Sequence, residues 1–588
     1  MCGILTVAGK SGDPLDPSAC RRALSSLSWR GPDLCVASIW RERVFLGQTV
    51  LSLTGDITDA SGEHARSISG RYTVAFNGEI YNFRDLAARW LGRRMSLDEH
   101  TTDTEVLANL HDAMRPADVA AALDGMYAFA VLDHEEEALY FCRDVQGEKS
   151  LYAYEDDHRV IISSEIPAIE SLVPRLSFDR QVLRDYFRTR HFMQFSRTAF
   201  ENVRQIPPGA VERLDLRTMR WTTVRQQSIR EWIDPARMEA NAQRSLASLT
   251  DELDALLTQT TKEMLPDRRK YAAVLSGGVD SSLTGHYLVA HGSPDMLVAV
   301  DHLGKDRISS DLMGFEAALG RRIEVLRVDH IPYSGEITRC QHVCGSPLGS
   351  HSYVAQALQS ARVRSADCRV IFGGEGGDEV FGGYGGYLAP ATGDTLYSPS
   401  PYMALHPTEL GFDEDDPSTI ERELHAAWKI ALDAYAFIES PTDRAAAAMM
   451  YADTAYQLAA VGLRGADLMS MMWSVEARTI LIRRPVLQFA LNLPMFARIN
   501  PTHPDPTRRT KVLLKALFQR YYPAELLLPK QGFAGFPNES ASYLGHLADY
   551  LIYETIRVTR PATGHTPYSA ATLWKLANVE YFLRGRRR

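Results

Sequence analysis

From about Ser245 onward, short apolar runs alternate with helix-length segments, and this alternation limits the possible fold more than any other feature. Lys270-Tyr271-Ala272-Ala273-Val274-Leu275 breaks into a glycine loop, Ser276-Gly277-Gly278-Val279-Asp280-Ser281-Ser282, and a helical stretch runs from Ser282 to about His291. Met296-Leu297-Val298-Ala299-Val300, Arg322-Ile323-Glu324-Val325-Leu326-Arg327-Val328 and Arg369-Val370-Ile371-Phe372 continue the series. Strands alternating with helices build βαβ units, and therefore a parallel sheet covered by helices. The N-terminal part is different. Val44-Phe45-Leu46, Tyr72-Thr73-Val74-Ala75-Phe76 and Tyr127-Ala128-Phe129-Ala130-Val131-Leu132 are short, and Gly, Asp and Asn turn residues separate them, as in a β-rich unit. Arg204-Gln205-Ile206-Pro207-Pro208-Gly209 is a natural connector, so we expect two domains, 1–210 and 211–588. The segment from Ala389 to about Ser418, rich in Pro, Thr, Ser and acids, is expected to be a surface insertion, and the remainder to be mostly helical.

Charge and cysteine usage narrow the function classes. The 588 residues carry 64 Lys and Arg against 73 Asp and Glu, and a net charge of −9 speaks against nucleic acid as the main partner. No run approaches the roughly 18 apolar residues that span a membrane, and the first residues lack the basic flank of a secretory signal. A cytoplasmic location, with no membrane partner, is the expectation. Seven scattered cysteines do not form a disulfide framework. Cys340 and Cys344 are expected to be buried thiols rather than metal ligands, and the closing Arg584-Gly585-Arg586-Arg587-Arg588 to be solvated.

The cysteine that carries chemistry is Cys2. Loss of Met1 gives it a free α-amine with an ordinary pKa of roughly 7.7–8.0, and a thiol beside its own base is an activated nucleophile. Several segments then follow in a fixed order: Arg30-Gly31-Pro32-Asp33, Asn77-Gly78-Glu79-Ile80-Tyr81-Asn82, Thr102-Asp103-Thr104-Glu105, Asp124-Gly125-Met126-Tyr127, Arg143-Asp144, Gly147-Glu148-Lys149 and Ser163-Ser164-Glu165. With Cys2, they resemble the class II glutamine amidotransferases over the first ~170 residues. The resemblance implies an N-terminal nucleophile hydrolase fold, a β-sandwich flanked by helices. It makes Cys2 the nucleophile, Asn77 and the Gly78 N–H the oxyanion hole, and Glu79 and Asp103 the holders of the glutamine α-ammonium.

In the second half, the 276–282 loop sits between a strand and a helix. Its glycines let backbone N–H groups approach a phosphate, and the helix N-terminus favours negative charge. No Gly-Lys-Ser/Thr follows, so it is not a P-loop. It resembles the loop of the PP-loop ATP-pyrophosphatases. Gly373-Gly374-Glu375-Gly376-Gly377-Asp378-Glu379-Val380-Phe381-Gly382-Gly383-Tyr384 resembles the corresponding run of asparagine synthetases, as do Asp467-Leu468-Met469-Ser470-Met471, Ser474-Val475-Glu476-Ala477-Arg478 and Lys530-Gln531-Gly532-Phe533. The fold class implied is α/β and α+β. The cofactors implied are ATP and Mg²⁺. Leu275, Ser276, Gly277, Gly278, Asp280, Ser281, Ser282 and Gly374 would bind ATP, and Asp280 and Asp378 the metal. Glu375 would assist attack at the acceptor, and Lys530 would stabilise charge at the α-phosphate.

The departures from the family pattern bear on substrates. Gln48-Thr49-Val50-Leu51-Ser52 stands where the family reads His-x-Arg-Leu-Ser, so the arginine that grips the glutamine carboxylate is Val50 here. Trp29 replaces the His before Arg-Gly-Pro-Asp. Thr479-Ile480-Leu481-Ile482-Arg483 replaces Val-Pro-Phe-Leu-Asp, Gly373-Gly374 replaces Ser-Gly, and Gly345-Ser346-Pro347 lacks an acid before Pro. The expected activity is a glutamine-dependent, ATP-consuming amidotransferase acting on a carboxylic acid. The donor is glutamine or a glutamine derivative, and a homodimer is a candidate assembly. Asparagine synthetase itself, and a glutaminase-impaired amide ligase or cyclase using another nitrogen donor, are the alternatives.

Overall fold

The computed structural model describes residues 2–10, 14–53, 63–193, 195–301, 307–328, 333–389, 403, 405, 408–412, 419–528, 551–557 and 568–586. Lys530 and most of 389–418 lie outside the described residues.

Two six-stranded sheets form the N-terminal unit. The first has strand order β10-β8-β9-β1-β3-β2 and the second β12-β11-β7-β6-β5-β4. The strands of the first are β1 (Cys2–Gly9), β2 (Leu34–Trp40), β3 (Val44–Val50), β8 (Tyr152–Glu155), β9 (Arg159–Ser163) and β10 (Val203–Gln205). Those of the second are β4 (Ala65–Arg66), β5 (Tyr72–Ile80), β6 (Gly125–Asp133), β7 (Ala138–Arg143), β11 (Ala210–Asp215) and β12 (Trp221–Gln226). Two-residue periodicity explains the layers. Along β6, Tyr127, Phe129 and Val131 point to a helical layer that includes α1 (Asp103–Ala113). Ala128, Ala130 and Leu132 point between the sheets, where small side chains let the layers approach. The result is a helix–sheet–sheet–helix sandwich. Its strand β11 runs from Ala210 and β12 follows it, so the sheet continues past residue 210 to Gln226.

The second unit holds a five-stranded sheet in the order β15-β14-β13-β16-β17. Its strands are β13 (Tyr271–Val274), β14 (Met296–Asp301), β15 (Ile323–Arg327), β16 (Val370–Gly373) and β17 (Glu476–Thr479), all paired in parallel. The chain leaves β13 toward β14 on one side and returns to β16 on the other. Ligands of such sheets bind outside the carboxyl ends of the strands at this switch point. The loops after β13 and β16 are the 276–282 loop and the Gly374-Glu375-Gly376 turn. Helices α2 (Leu246–Met264), α3 (Val279–His291), α4 (Gly377–Phe381) and α5 (Val512–Tyr521) surround that edge.

The C-terminal helix, Ala570–Arg586, packs Leu576, Val579, Phe582 and Leu583 against the N-terminal unit. The expectation of a solvated basic end is corrected for one residue. Arg586 pairs with Glu170 at 2.8 Å and lies over the Phe582 ring, whereas Arg584, paired with Glu580 at 2.6 Å, stays exposed. Cys340 and Cys344 are buried free thiols.

Candidate functional site

The donor pocket is assembled by adjacent strands. Cys2 opens β1, and β3 runs beside it with Cys2 opposite Val50. The Cys2 N–H donates to Asn77 Oδ1 at 3.1 Å. That bond fixes the Asn77 amide, whose fully buried Nδ2 has no hydrogen-bond partner among the described residues. An unspent, oriented donor suits an oxyanion that exists only in the tetrahedral intermediate. Gly78 follows at φ +154°, and a Cβ there would meet Met126 O at 2.1 Å, so only glycine fits.

Sequence reasoning treated Gln48 only as a departure. Its Oε1 accepts from the Phe76 N–H at 3.2 Å, which turns Nε2 toward Cys2 Sγ at 3.3 Å. A neutral amide donor therefore touches the nucleophile. The signal was present in the sequence as the position one pleat before Val50, but its direction required the fold.

Glu79 and Asp103, the pair expected to hold an ammonium, lie near enough to interact. Thr102 and Glu105 form a capping box that starts α1, and Asp103 Oδ2 accepts from the Ile80 N–H at 3.0 Å. Burial pushes the Glu79 carboxyl up to about 8, with Arg478 opposing and Asp103 adding to the rise. Burial likewise pushes Asp103 up to about 6. Two buried carboxyls that resist ionising next to each other form a site that a cation would relieve. Val50 offers no charge for the carboxylate end of an amino acid.

The nucleotide cleft lies at the switch point. The Ser276 N–H donates to Ser281 Oγ at 3.1 Å, Ser281 Oγ lies 2.9 Å from Ser276 Oγ and donates to Gly278 O at 3.2 Å, and Gly277 turns at φ +80°. This knot of hydroxyls straddles the start of α3, whose N-cap Gly278 gives its first N–H groups no side-chain cap. Buried Ser282 Oγ has no partner among the described residues. Gly374 and Gly377 pack on the same loop, where a Cβ would meet Ser281 N at 3.0 Å and Asp280 Cγ at 2.4 Å respectively. The donors fit a polyphosphate. The hard oxygens of Asp280 and Asp378 fit a divalent cation, because both converge on one point, at present the Lys511 ammonium. Lys511 was missed: it lies 231 residues from Asp280 and carries no motif.

Glu375 lies in the turn after β16, where the resemblance expects the acceptor. Burial pushes its carboxyl above the usual range, and Asp280 adds to the rise. It folds back over Gly373, where a Cβ would fall 1.9 Å from Glu375 Oε2, so a serine at 373 would push the carboxylate aside. Ile482 Cγ2 lies 2.1 Å from where a Gly376 Cβ would be. Ile480, Leu481 and Ile482 belong to the core. Arg483 stands where the family pattern has an acid, yet it does not make this region basic. Arg483 pairs with Asp124 at 2.9 Å and Glu263 at 3.0 Å and stacks on Tyr81, so its charge is spent at the seam between the units.

That seam joins the two sites. Arg478 Nη2 reaches Glu79 Oε2 at 3.3 Å, while the next residue, Thr479, donates its hydroxyl to Glu375 O at 2.9 Å. The Arg30 guanidinium donates Nε–H to Cys2 O at 3.0 Å and pairs with Glu165 at 2.8 Å and Asp467 at 3.0 Å. Lys149 completes the group with Asp467 at 3.0 Å, and all four side chains are buried.

The comparisons with known proteins follow this division. The model of the glutamine amidotransferase domain matches residues 1–225, and that of asparagine synthase matches residues 252–557. Asparagine synthetase [glutamine-hydrolyzing] 3 of Bacillus subtilis is 24% identical, over 95% of this chain and 90% of its own. Human asparagine synthetase [glutamine-hydrolyzing] is also 24% identical, over 53% of this chain and 54% of its own. In the first relatives matched, at 25% identity, the chain spans 68% and 61% of their length. Among solved structures, the allosteric regulatory enzyme of purine biosynthesis resembles this chain at a TM-score of 0.30 and 14% identity, covering 55% of this chain and 80% of that one. The chain belongs to the asparagine synthase family, with a glutamine amidotransferase domain ahead of the synthase domain.

Proposed function

We propose that the chain is a glutamine-dependent, ATP-consuming amidotransferase that adenylates a carboxylic acid and amidates it, with release of AMP and pyrophosphate. The carrying observation is the joint presence of a Cys2–Asn77 donor pocket and a 276–282 loop with Asp280, Asp378 and Glu375, linked through β17. We place the domain boundary in 227–245, after the last strand of the second sandwich sheet.

At the donor site Cys2 Sγ attacks the side-chain amide carbon. Asn77 Nδ2 and the Gly78 N–H receive the oxyanion, ammonia leaves, and water releases glutamate from the thioester. Glu79 and Asp103 hold the donor's ammonium. At the second site the acceptor carboxylate attacks the α-phosphorus of ATP and pyrophosphate leaves. Ammonia, delivered through the interior, then displaces AMP, and Glu375 takes the proton. This route replaces hydroxide, a poor leaving group, with AMP. Mg²⁺, held by Asp280 and Asp378, would neutralise phosphate charge there. Lys530 keeps its proposed role at the α-phosphate.

For the acceptor we propose an acid bulkier and less polar than aspartate, in a specialised biosynthetic pathway such as that of an antibiotic. Ile480, Leu481 and Ile482 support this, since they are buried hydrocarbon packed behind the turn that carries Glu375 and offer no charge for a second carboxylate. Ordinary asparagine synthetase is the second reading, favoured by the similarity to the Bacillus subtilis asparagine synthetase. A mass-spectrometric screen of acids with ATP, Mg²⁺ and glutamine tests both. ADP and phosphate in place of AMP and pyrophosphate would overturn adenylation. Aspartate turnover of about 10 per second, typical of an enzyme on its own substrate, would overturn the bulky acceptor.

Glutamine, ATP and the acid are the proposed partners, without nucleic acid. No described helix is long and apolar enough to cross a membrane. Seven free cysteines support a cytoplasmic location, and light scattering tests the homodimer.

A further inference from the structure

The two carboxylates expected to hold the metal are not waiting for it. Lys511 Nζ contacts Asp280 Oδ2 and lies 2.6 Å from Asp378 Oδ1, and its side chain is 8% exposed. This placement is built into the backbone. Lys511 is a left-handed residue at φ +50°, ψ +42°, a conformation that is uncommon and costly for a side chain other than glycine. Its N–H donates to Gly382 O at 3.1 Å just before α5 begins. Gly383 closes over the pair: a Cβ there would fall 1.9 Å from Asp378 Oδ1 and 2.4 Å from Lys511 Cε.

We propose that Lys511 occupies the divalent-cation position of the nucleotide-free protein and vacates it only for a triphosphate, so that metal enters with ATP and not before it. A divalent ion would coordinate the same carboxylate oxygens at about 2.0–2.1 Å, and an ammonium at hydrogen-bond distance from them excludes it by volume and by charge. A triphosphate removes the obstacle, because its oxygens accept from the three ammonium N–H groups while the Asp280 and Asp378 carboxylates turn to the metal. Lys515, one helical turn along, is held by Thr510 Oγ1 at 3.0 Å and Thr507 O at 2.5 Å and adds a second cation on the same side. The cleft thereby discriminates against free Mg²⁺ and against phosphate-poor nucleotides.

The inference rests on the adenylation reading, so its test measures metal binding and not turnover. Mn²⁺ is titrated into the full chain and the free ion is followed by electron paramagnetic resonance, with and without α,β-methylene-ATP. The wild type should bind Mn²⁺ at least ten-fold more tightly with the nucleotide. Lys511→Met should bind it at least ten-fold more tightly than wild type without nucleotide, and adding Asp378→Asn should abolish that gain. Lys511→Gln serves the same comparison if the methionine variant does not fold. Equal affinity of wild type and variant in the absence of nucleotide overturns the proposal. So does a nucleotide that binds without improving Mn²⁺ affinity. A nucleotide that fails to bind, alongside the predicted gain in Lys511→Met, counts against adenylation and leaves the blocking role of Lys511 upheld.

Discussion

The donor and acceptor sites are built in opposite ways. Cys2, Gln48 and Val50 lie on paired strands of one sheet and Asn77, Gly78 and Glu79 on β5 of the sheet packed against it, so register within each sheet and contact between the sheets fix their mutual positions. Asp280, Glu375, Asp378 and Lys511 lie on loops and helix starts beyond strand ends, where three chain segments meet. Substitution has different consequences in each. On the donor side Val50 stands opposite Cys2 on a paired strand and offers no charge there. On the acceptor side Ile480, Leu481 and Ile482 lie in the core and Arg483 is paired with Asp124, so none of the four adds a charge at the turn.

The sharpest break in this comparison is Asp280→Ala. Loss of AMP and pyrophosphate formation with either nitrogen source is expected, about 1,000-fold or more by analogy with other electrostatic groups at transferring phosphates, checked by pyrophosphate release. Cys2→Ala separates the halves: glutamine-dependent amide should vanish while synthesis from high ammonium persists. Loss with both sources would show that the donor half acts on the acceptor half through more than ammonia.

Smaller effects grade the donor pocket. Val50→Arg should tighten glutamine use by roughly ten- to a hundred-fold in KM, since one charge-assisted pair is worth about 1.5–3 kcal/mol. An unchanged KM would mean that the carboxylate is gripped elsewhere. The pH dependence is milder. An ammonium binds the ionised forms of Glu79 and Asp103, whose pKa values stand near 8 and 6, so glutamine KM should fall about ten-fold between pH 6 and 8. The ligand-free protein should show the reverse. Both folded-state values are raised, so their contribution to stability is full below the unfolded carboxyl range and is lost as pH rises through 6 to 8. Glu79→Gln should flatten that decline in Tm.

What the sequence disclosed follows the same division. The glycine-rich runs were legible because a backbone against a phosphate or a carboxylate tolerates no Cβ, and this leaves a local imprint. The β-rich and alternating halves were legible from periodicity. Lys511 was not, since nothing near it in the chain announces a partner 231 residues away. Gln48 and Val50 were both noticed as departures, yet only pairing with β1 showed that one touches the thiol and the other ends the strand opposite it. Arg483 appeared to alter the acceptor site until its two acidic neighbours, one from each unit, accounted for its charge.

The buried group Arg30, Glu165, Lys149 and Asp467 has a consequence for the chain's history. Three of its members come from the first unit and one from the second, and together their charges cancel. Replacing either unit by a relative's that lacks its share would strand a formal charge in a dry seam, which costs several kcal/mol. Only a unit that carries its share can replace either one, and substitutions at these positions in one unit constrain those the other can keep.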